Sequence, residues 1–308
     1  MPTIDLSTPP PAPATLLDGL PRRVTLTLPE LRLVAERAGG APLPFELAQP
    51  RQAHALEDRL GSSRATAEES AYAAALASLH DPEESLARRG LLGEVGEDTG
   101  LIGAVGLLAT PQTALDLDVT AVGVQARAWH RRAGVAVAAL STVDGIVFEL
   151  AWFHASRWAD ELARAGVLPE ECPLTESEVP AYVDLPFDLA DAANEATRSG
   201  RGDLVPVLAD QAYGAVLDAD GQPLGENATA VVLNALTTES RGRLRVLVGD
   251  LTGDETAVIG VVSWTLLADG WRALRPREVD GKPRIQVASV SPNDLATELA
   301  PVLAAVTE

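Results

Sequence analysis

The sequence predicts an α+β protein in which one plan, helices followed by a four-strand meander and a closing helix, occurs twice along the chain. Three observations carry this reading. Capped, helix-prone segments fill residues 24–110, and short β-rich runs punctuated by Gly and Asp-Gly fill 113–153. The same order returns after an acidic, proline-bounded stretch at 169–180. The two closing helices also read alike, "ADELARAGVL" against "ATELAPVL".

Taken in order, residues 1–20 form a proline-rich stretch, with Pro9, Pro10, Pro11 and Pro13, and are expected to be a flexible tail. The start lacks a basic segment followed by an apolar run, so no secretory signal is expected. "TLTLPELRLVAERAGG" reads as a short strand or turn and then a helix, with Pro29 suited to the first helical turn and Gly39-Gly40 ending it. "ATAEESAYAAALASLHD" has high helix propensity from Ala65 to Leu79. "DPEESLARRGLL" begins a helix at Asp81, with acids in its first turn and bases near its end, complementing the helix dipole. "GLIGAVGLLATP" is a weaker helix that stops before Pro111. "TALDLDVTAVG", "VQARAWHRRAG", "VAVAALSTVDG" and "IVFELAWF" read as four strands with a hairpin turn at Asp144-Gly145. The helix from Ser156 follows.

The second round has helices in "FDLADAANEAT", "GDLVPVLADQAYGAVL" and "NATAVVLNALTTES". Its strands are "RGRLRVLVGDL", "ETAVIGVVSWTLLA", "WRALRPREV" and "KPRIQVASV", with turns at Asp269-Gly270 and Asp280-Gly281. The expected domain limits are therefore a tail at 1–20, an N-terminal α+β half at 21–168, an acidic linker at 169–180 and a C-terminal α+β half at 181–308.

Strand alternation assigns faces. A two-residue turn at Asp269-Gly270 pairs Ala268 with Trp271 and Trp264 with Arg275. Val262, Trp264, Leu266, Ala268, Trp271 and Ala273 then share an apolar face that should pack under helices. The opposite face carries Ser263, Thr265, Leu267, Arg272 and Leu274. In the first meander, a turn at Asp144-Gly145 puts Val137, Ala139, Val143, Ile146, Phe148, Leu150 and Trp152 together. All five tryptophans of the chain fall in these meanders or the helix after the first. Their bulk suits anchors between sheet and helix.

The 308 residues are 46% hydrophobic, enough for a substantial core, and the net charge of −20 disfavours nucleic acid and anionic lipid at long range. No run approaches the length of a membrane helix, so a cytoplasmic location without membrane insertion is expected. The single cysteine, Cys172, permits neither an internal disulfide nor a cysteine zinc site. His54, His80, His130 and His154 form no metal-binding spacing, although His130 and His154 could approach one another. Asp116 and Asp118 alternate with Leu115, Leu117 and Val119, as on a solvated amphipathic strand. A nucleophile elbow, a phosphate-binding loop and a dinucleotide fingerprint are all missing. No enzyme, metal or cofactor is expected.

Several stretches resemble the EspG family, the cytosolic chaperones associated with ESX (type VII) secretion in actinobacteria. They are "LPELRLVAERAGGAPLPFEL", "LARRGLL" with "LLATPQTALDLDV", "WTLLADGWRALRP" and "VASVSPNDLATELAPVL". In order they cover most of residues 24–306, whereas 170–240 matches only in general character. The resemblance implies a central antiparallel β-sheet flanked by two helical bundles, with quasi-two-fold symmetry between halves sharing the sheet. It also implies a non-enzymatic activity: binding a PE–PPE pair, covering the apolar tip of the PPE protein and directing the pair to export. An apolar groove on an acidic exterior would serve that purpose. The groove is expected in the C-terminal half, where Thr265, Leu267 and Arg272 could meet "VVLNAL" with Leu233 and Leu236. The alternatives are an adaptor for another protein of the secretion machinery and an enzyme with a nonlocal site.

Overall fold

The computed structural model describes residues 17, 19–45, 64–92, 98–253 and 256–305. Most of the expected tail, and His54, lie outside them. The first round comprises β1 (Arg22–Thr27), α1 (Leu28–Arg37), α2 (Arg64–Ala77), α3 (Pro82–Arg88), α4 (Thr99–Ala109), β2 (Thr113–Ala121), β3 (Val124–Ala133), β4 (Ala136–Thr142), β5 (Val147–His154) and α5 (Trp158–Ala165). The second comprises β6 (Tyr182–Pro186), α6 (Phe187–Arg198), α7 (Val205–Gln211), α8 (Glu226–Thr238), β7 (Gly242–Asp250), β8 (Ala257–Leu267), β9 (Gly270–Val279), β10 (Lys282–Ser289) and α9 (Leu295–Ala304). The strands form one ten-stranded sheet in the order β1-β5-β4-β3-β2-β7-β8-β9-β10-β6. Read from its centre, each side gives the same series: a four-strand meander, then the strand that precedes that round's helices. The sequence pattern missed β6, a five-residue strand between Pro180 and the Pro186 that ends it.

By contacts the chain forms two compact units, residues 1–112 with 130–157, and 113–129 with 158–308. In the first, α1 begins with a capping box: Thr27 Oγ1 accepts from Glu30 N, and Glu30 Oε2 accepts from Thr27 N at 2.8 Å. The same buried carboxylate pairs with Arg89, whose Nη2 donates to Thr25 O at 2.6 Å. Helices α1 and α4 pack on β5, where Phe148, Leu150 and Trp152 are buried. Gly100 lets α4 approach Trp152, since a Cβ there would lie 3.1 Å from the indole nitrogen.

The β4–β5 connection corrects the face assigned from sequence. It is a four-residue loop, Val143–Ile146, and Thr142 pairs with Phe148. Asp144 Oδ1 accepts from the backbone N–H groups of Ile146 and Val147, Thr142 Oγ1 accepts from Gly145 N, and Gly145 adopts φ +71°. Relative to a two-residue turn, the register moves by one position. Phe148, Leu150 and Trp152 therefore share their face with Ala138 and Leu140, not with Val137 and Ala139.

In the second unit the sheet is covered on both sides near β9. On one side Trp264 and Trp271 are buried with their rings 6.3 Å apart. Helix α5 packs on α9, and α9 packs on β8. A Cβ on Gly260 of β8 would sit 2.7 Å from Val302 of α9. Arg275 of β9 grips Glu298 of α9, and Trp271 Nε1 donates to Gly166 O at 2.7 Å. On the other side α6, α7 and α8 close a core with Val183, Leu185, Leu267 and Val287. The β8–β9 turn falls on Ala268-Asp269, one residue earlier than the sequence suggests, so that Leu266 pairs with Trp271 and Trp264 with Ala273. Moving the turn by one residue changes the pairing by two, so the face survives: Val262, Trp264, Leu266, Trp271 and Ala273 are all buried.

Two stability predictions follow from these packings. Trp271→Phe replaces the indole by a smaller phenyl and leaves the buried Gly166 carbonyl without its donor, and should lower unfolding free energy by at least about 1–3 kcal/mol in urea denaturation. At the junction of β2 and β7, a Cβ on Gly242 would lie 2.2 Å from the backbone oxygen of Thr120. Gly242→Ala should therefore cost at least the upper end of the roughly 1–3 kcal/mol typical of overpacking, read as a shifted denaturation midpoint.

Candidate protein-docking site

The two-sided cover does not extend over β2, β7 and the adjoining part of β8. Alternation buries Leu115, Leu117, Leu244, Val246, Val248 and Val262 on one face. Among the described residues no helix covers the opposite face, which is half-exposed and keeps Asp116 Oδ1 and Asp118 Oδ1 buried. Its rows follow from the register: Thr120 beside Arg243 and Thr265; Asp118 beside Arg245 and Ser263; Asp116 beside Leu247 and Val261. Arg243 and Arg245 are exposed, Val261 is 40% exposed, and Leu247, Ser263 and Thr265 are half-buried. The β2–β3 turn adds exposed Val122 and Val124, with Val122 at φ +51°. Helix α8 lies on this side of the sheet, because its Val232 and Leu233 share a core with Leu267. Its outward residues are Asn227, Val231, Asn234 and Thr238. Small apolar patches between charged and hydroxyl side chains suit protein association better than capture of a small molecule.

The residues expected to line a groove are distributed as follows. Leu233 and Leu267 are enclosed in the core, and Leu236 packs partly buried against it. Thr265 stands at the border of the open face, its hydroxyl 3.2 Å from that of Ser240. Arg272 is 2% exposed; it donates to Asp269 Oδ2 at 2.6 Å and Ser289 Oγ at 3.0 Å. Leu233, Leu267 and Arg272 thus present almost no surface.

Residues 173–181 run as a strap beside this border. Glu239, at the end of α8, accepts from Ser177 Oγ at 2.6 Å and Glu178 N at 2.8 Å. Arg241 donates to the carbonyls of Pro173, Leu267 and Ala268. The strap, Asp269 and Arg272 line an open depression of about 670 Å³. Nothing in the sequence pattern marks Glu239 or Arg241. Their role arises because α8, the strap and the β8–β9 turn converge there.

Among the described residues the histidines form no cluster. His130 is buried in β3, and His154, at the end of β5, bonds the Ser156 hydroxyl at 2.9 Å; β4 stands between their strands. Among the described residues no group of three or more His, Cys, Asp or Glu could hold a metal ion, and no helix is long and apolar enough to cross a membrane. Burial, with the neighbouring Arg131 charge second, lowers the pKa of His130 from 6.5 to about 3. The unfolded chain takes up this proton near pH 6.5, whereas the folded chain takes it up only near pH 3. The group's contribution is therefore whole above pH 6.5 and declines as pH falls towards 3. Between about pH 6 and 4.5, His130→Gln should flatten the pH dependence of urea stability by up to about 1.4 kcal/mol per pH unit.

No protein-family model matches the chain, and no curated protein matches it by sequence. Among solved structures it is similar to the Mycobacterium tuberculosis type VII secretion system chaperone EspG5, solved in complex with the PE25–PPE41 dimer. The TM-score is 0.57, covering 92% of this chain and 96% of the other, at 11% sequence identity. The chain has an EspG-like fold. The α+β class and central antiparallel sheet expected from sequence are those observed.

Proposed function

We propose that this EspG-like protein is a chaperone of type VII (ESX) secretion. It binds a secreted protein substrate, such as a PE–PPE pair, in the cytoplasm, shields the substrate's apolar tip and directs it for export. It does so without catalysis or cofactor. The observation that carries the reading is the open face of β2, β7 and β8, a sheet surface that no helix covers among the described residues, beside strands packed on both sides. The solved EspG5 holds a PE25–PPE41 dimer, which supports an occupant of that class. Leu247 and Val261 supply its apolar centre, and Thr265 with the partly buried Leu236 supplies its border. The net charge of −20 keeps the chaperone soluble while one patch stays adhesive.

Affinity-tagged chain co-expressed with PE–PPE pairs should co-elute with one pair in gel filtration at a fixed ratio. Leu247→Asp with Val261→Asp should weaken that complex by ~100-fold or more, the loss typical of a disrupted interface centre, with little change in melting temperature. Full binding by this variant would place the docking surface elsewhere; failure of the wild-type chain to bind any pair would remove the chaperone reading.

A further inference from the structure

The open face brings exposed arginines together in an otherwise acidic chain. Arg127 of β3 and Arg243 and Arg245 of β7 are exposed, and no hydrogen bond or ion pair engages any of them among the described residues. The acids of the same region are half-buried, and Asp118 stands in register with Arg245 without an ion pair between them. Asp118 accepts from Gln125 Nε2 at 3.1 Å, and Asp116 is also engaged. Arg243 has threonines on both sides, Thr120 and Thr265, so no neighbouring strand offers it a carboxylate in register. Exposed Arg32, Arg88 and Arg198 are likewise unengaged, but none of them stands beside a neighbouring unengaged arginine on a sheet face. Arg89, Arg241, Arg272, Arg275 and Arg284 are each fixed by carboxylates or backbone carbonyls.

We infer that Arg243 and Arg245 select the partner, requiring carboxylates beside the apolar centre of the protein tip that docks on this face. The inference rests on the chaperone reading and gives it a specificity rule. The occupant is a protein segment and not a nucleic acid, because the −20 net charge opposes a polyanion at long range while two arginines can still pair with single carboxylates at contact. Arginine suits the task, since its planar fork binds a carboxylate through two parallel hydrogen bonds. Apolar burial against Leu247 and Val261 gives adhesion, and the arginines reject a tip that leaves them unpaired or brings another cation.

The test uses the full chain and a panel of purified PE–PPE heterodimers, PE25–PPE41 among them, by calorimetry at low and high salt. The pairs that bind should be those with acidic side chains at the PPE tip, and their affinity should fall as salt rises. Arg243→Glu with Arg245→Glu should bind them at least ~10-fold more weakly, with an unchanged melting temperature, and should lose that salt dependence. Arg243→Lys with Arg245→Lys should recover part of the loss, and lysines placed at the partner's carboxylates should restore binding to the Glu variant. If the wild-type chain binds a pair and the Glu variant binds it equally well, the selection rule is overturned while the chaperone reading stands. If the wild-type chain binds no pair, the chaperone reading fails and the rule fails with it.

Discussion

The antiparallel ladder between β2 and β7 is the constraint on which the rest of the structure depends. It runs the full nine residues of both strands, from Thr113 opposite Asp250 to Ala121 opposite Gly242. Each of these strands opens a meander, so their pairing sets the parity of every residue that follows in β8. A one-residue slip would send Leu244, Val246 and Val248 to solvent and bury Arg243 and Arg245. At its end the backbones approach so closely that Gly242 has no room for a side chain. The same parity that fills the core therefore also fixes which side chains are left on the open face.

That face is understood best through what surrounds it. Around β9 and β10 helices cover the sheet on both sides, and even an arginine, Arg272, is enclosed with its charge met by Asp269. Around β2 and β7 one side is core and the other carries alternating charges, hydroxyls and two apolar residues. Such a surface is soluble by itself, because its apolar area is broken into small pieces. It gains adhesion only when a partner covers the pieces together. The strap at 173–181, held by Glu239 and Arg241, keeps the adjoining border in one conformation, which reduces the ordering cost of docking.

Apart from β6, the element order, the repeat and the burial of the tryptophans were legible in the sequence because they follow from periodicity, caps and turn residues. Register was legible only where errors were even. At Ala268-Asp269 the turn lies one residue from its expected place, and the Trp264–Trp271 face is unaffected. At Val143–Ile146 a longer loop, built by Asp144 and Thr142, moves the pairing by one and exchanges the partners of Phe148. The side on which Thr265 and Leu267 lie could also be read from alternation. What could not be read is how far α6, α7 and α8 extend over it. Their cover encloses Leu267 and Leu233 but stops short of Arg243 and Arg245, and only the tertiary fold decides that limit.

The central claim is that a secreted protein docks on the open face of β2, β7 and β8. Site-specific photo-crosslinking addresses it most directly: a benzophenone side chain placed at Ser263, in the middle of the face, is compared with one at exposed Val143 and one at exposed Tyr213. With a bound PE–PPE pair, the account predicts an efficient crosslink to the PPE protein from position 263 and none from 143 or 213. A crosslink from 143 or 213, with none from 263, would contradict it.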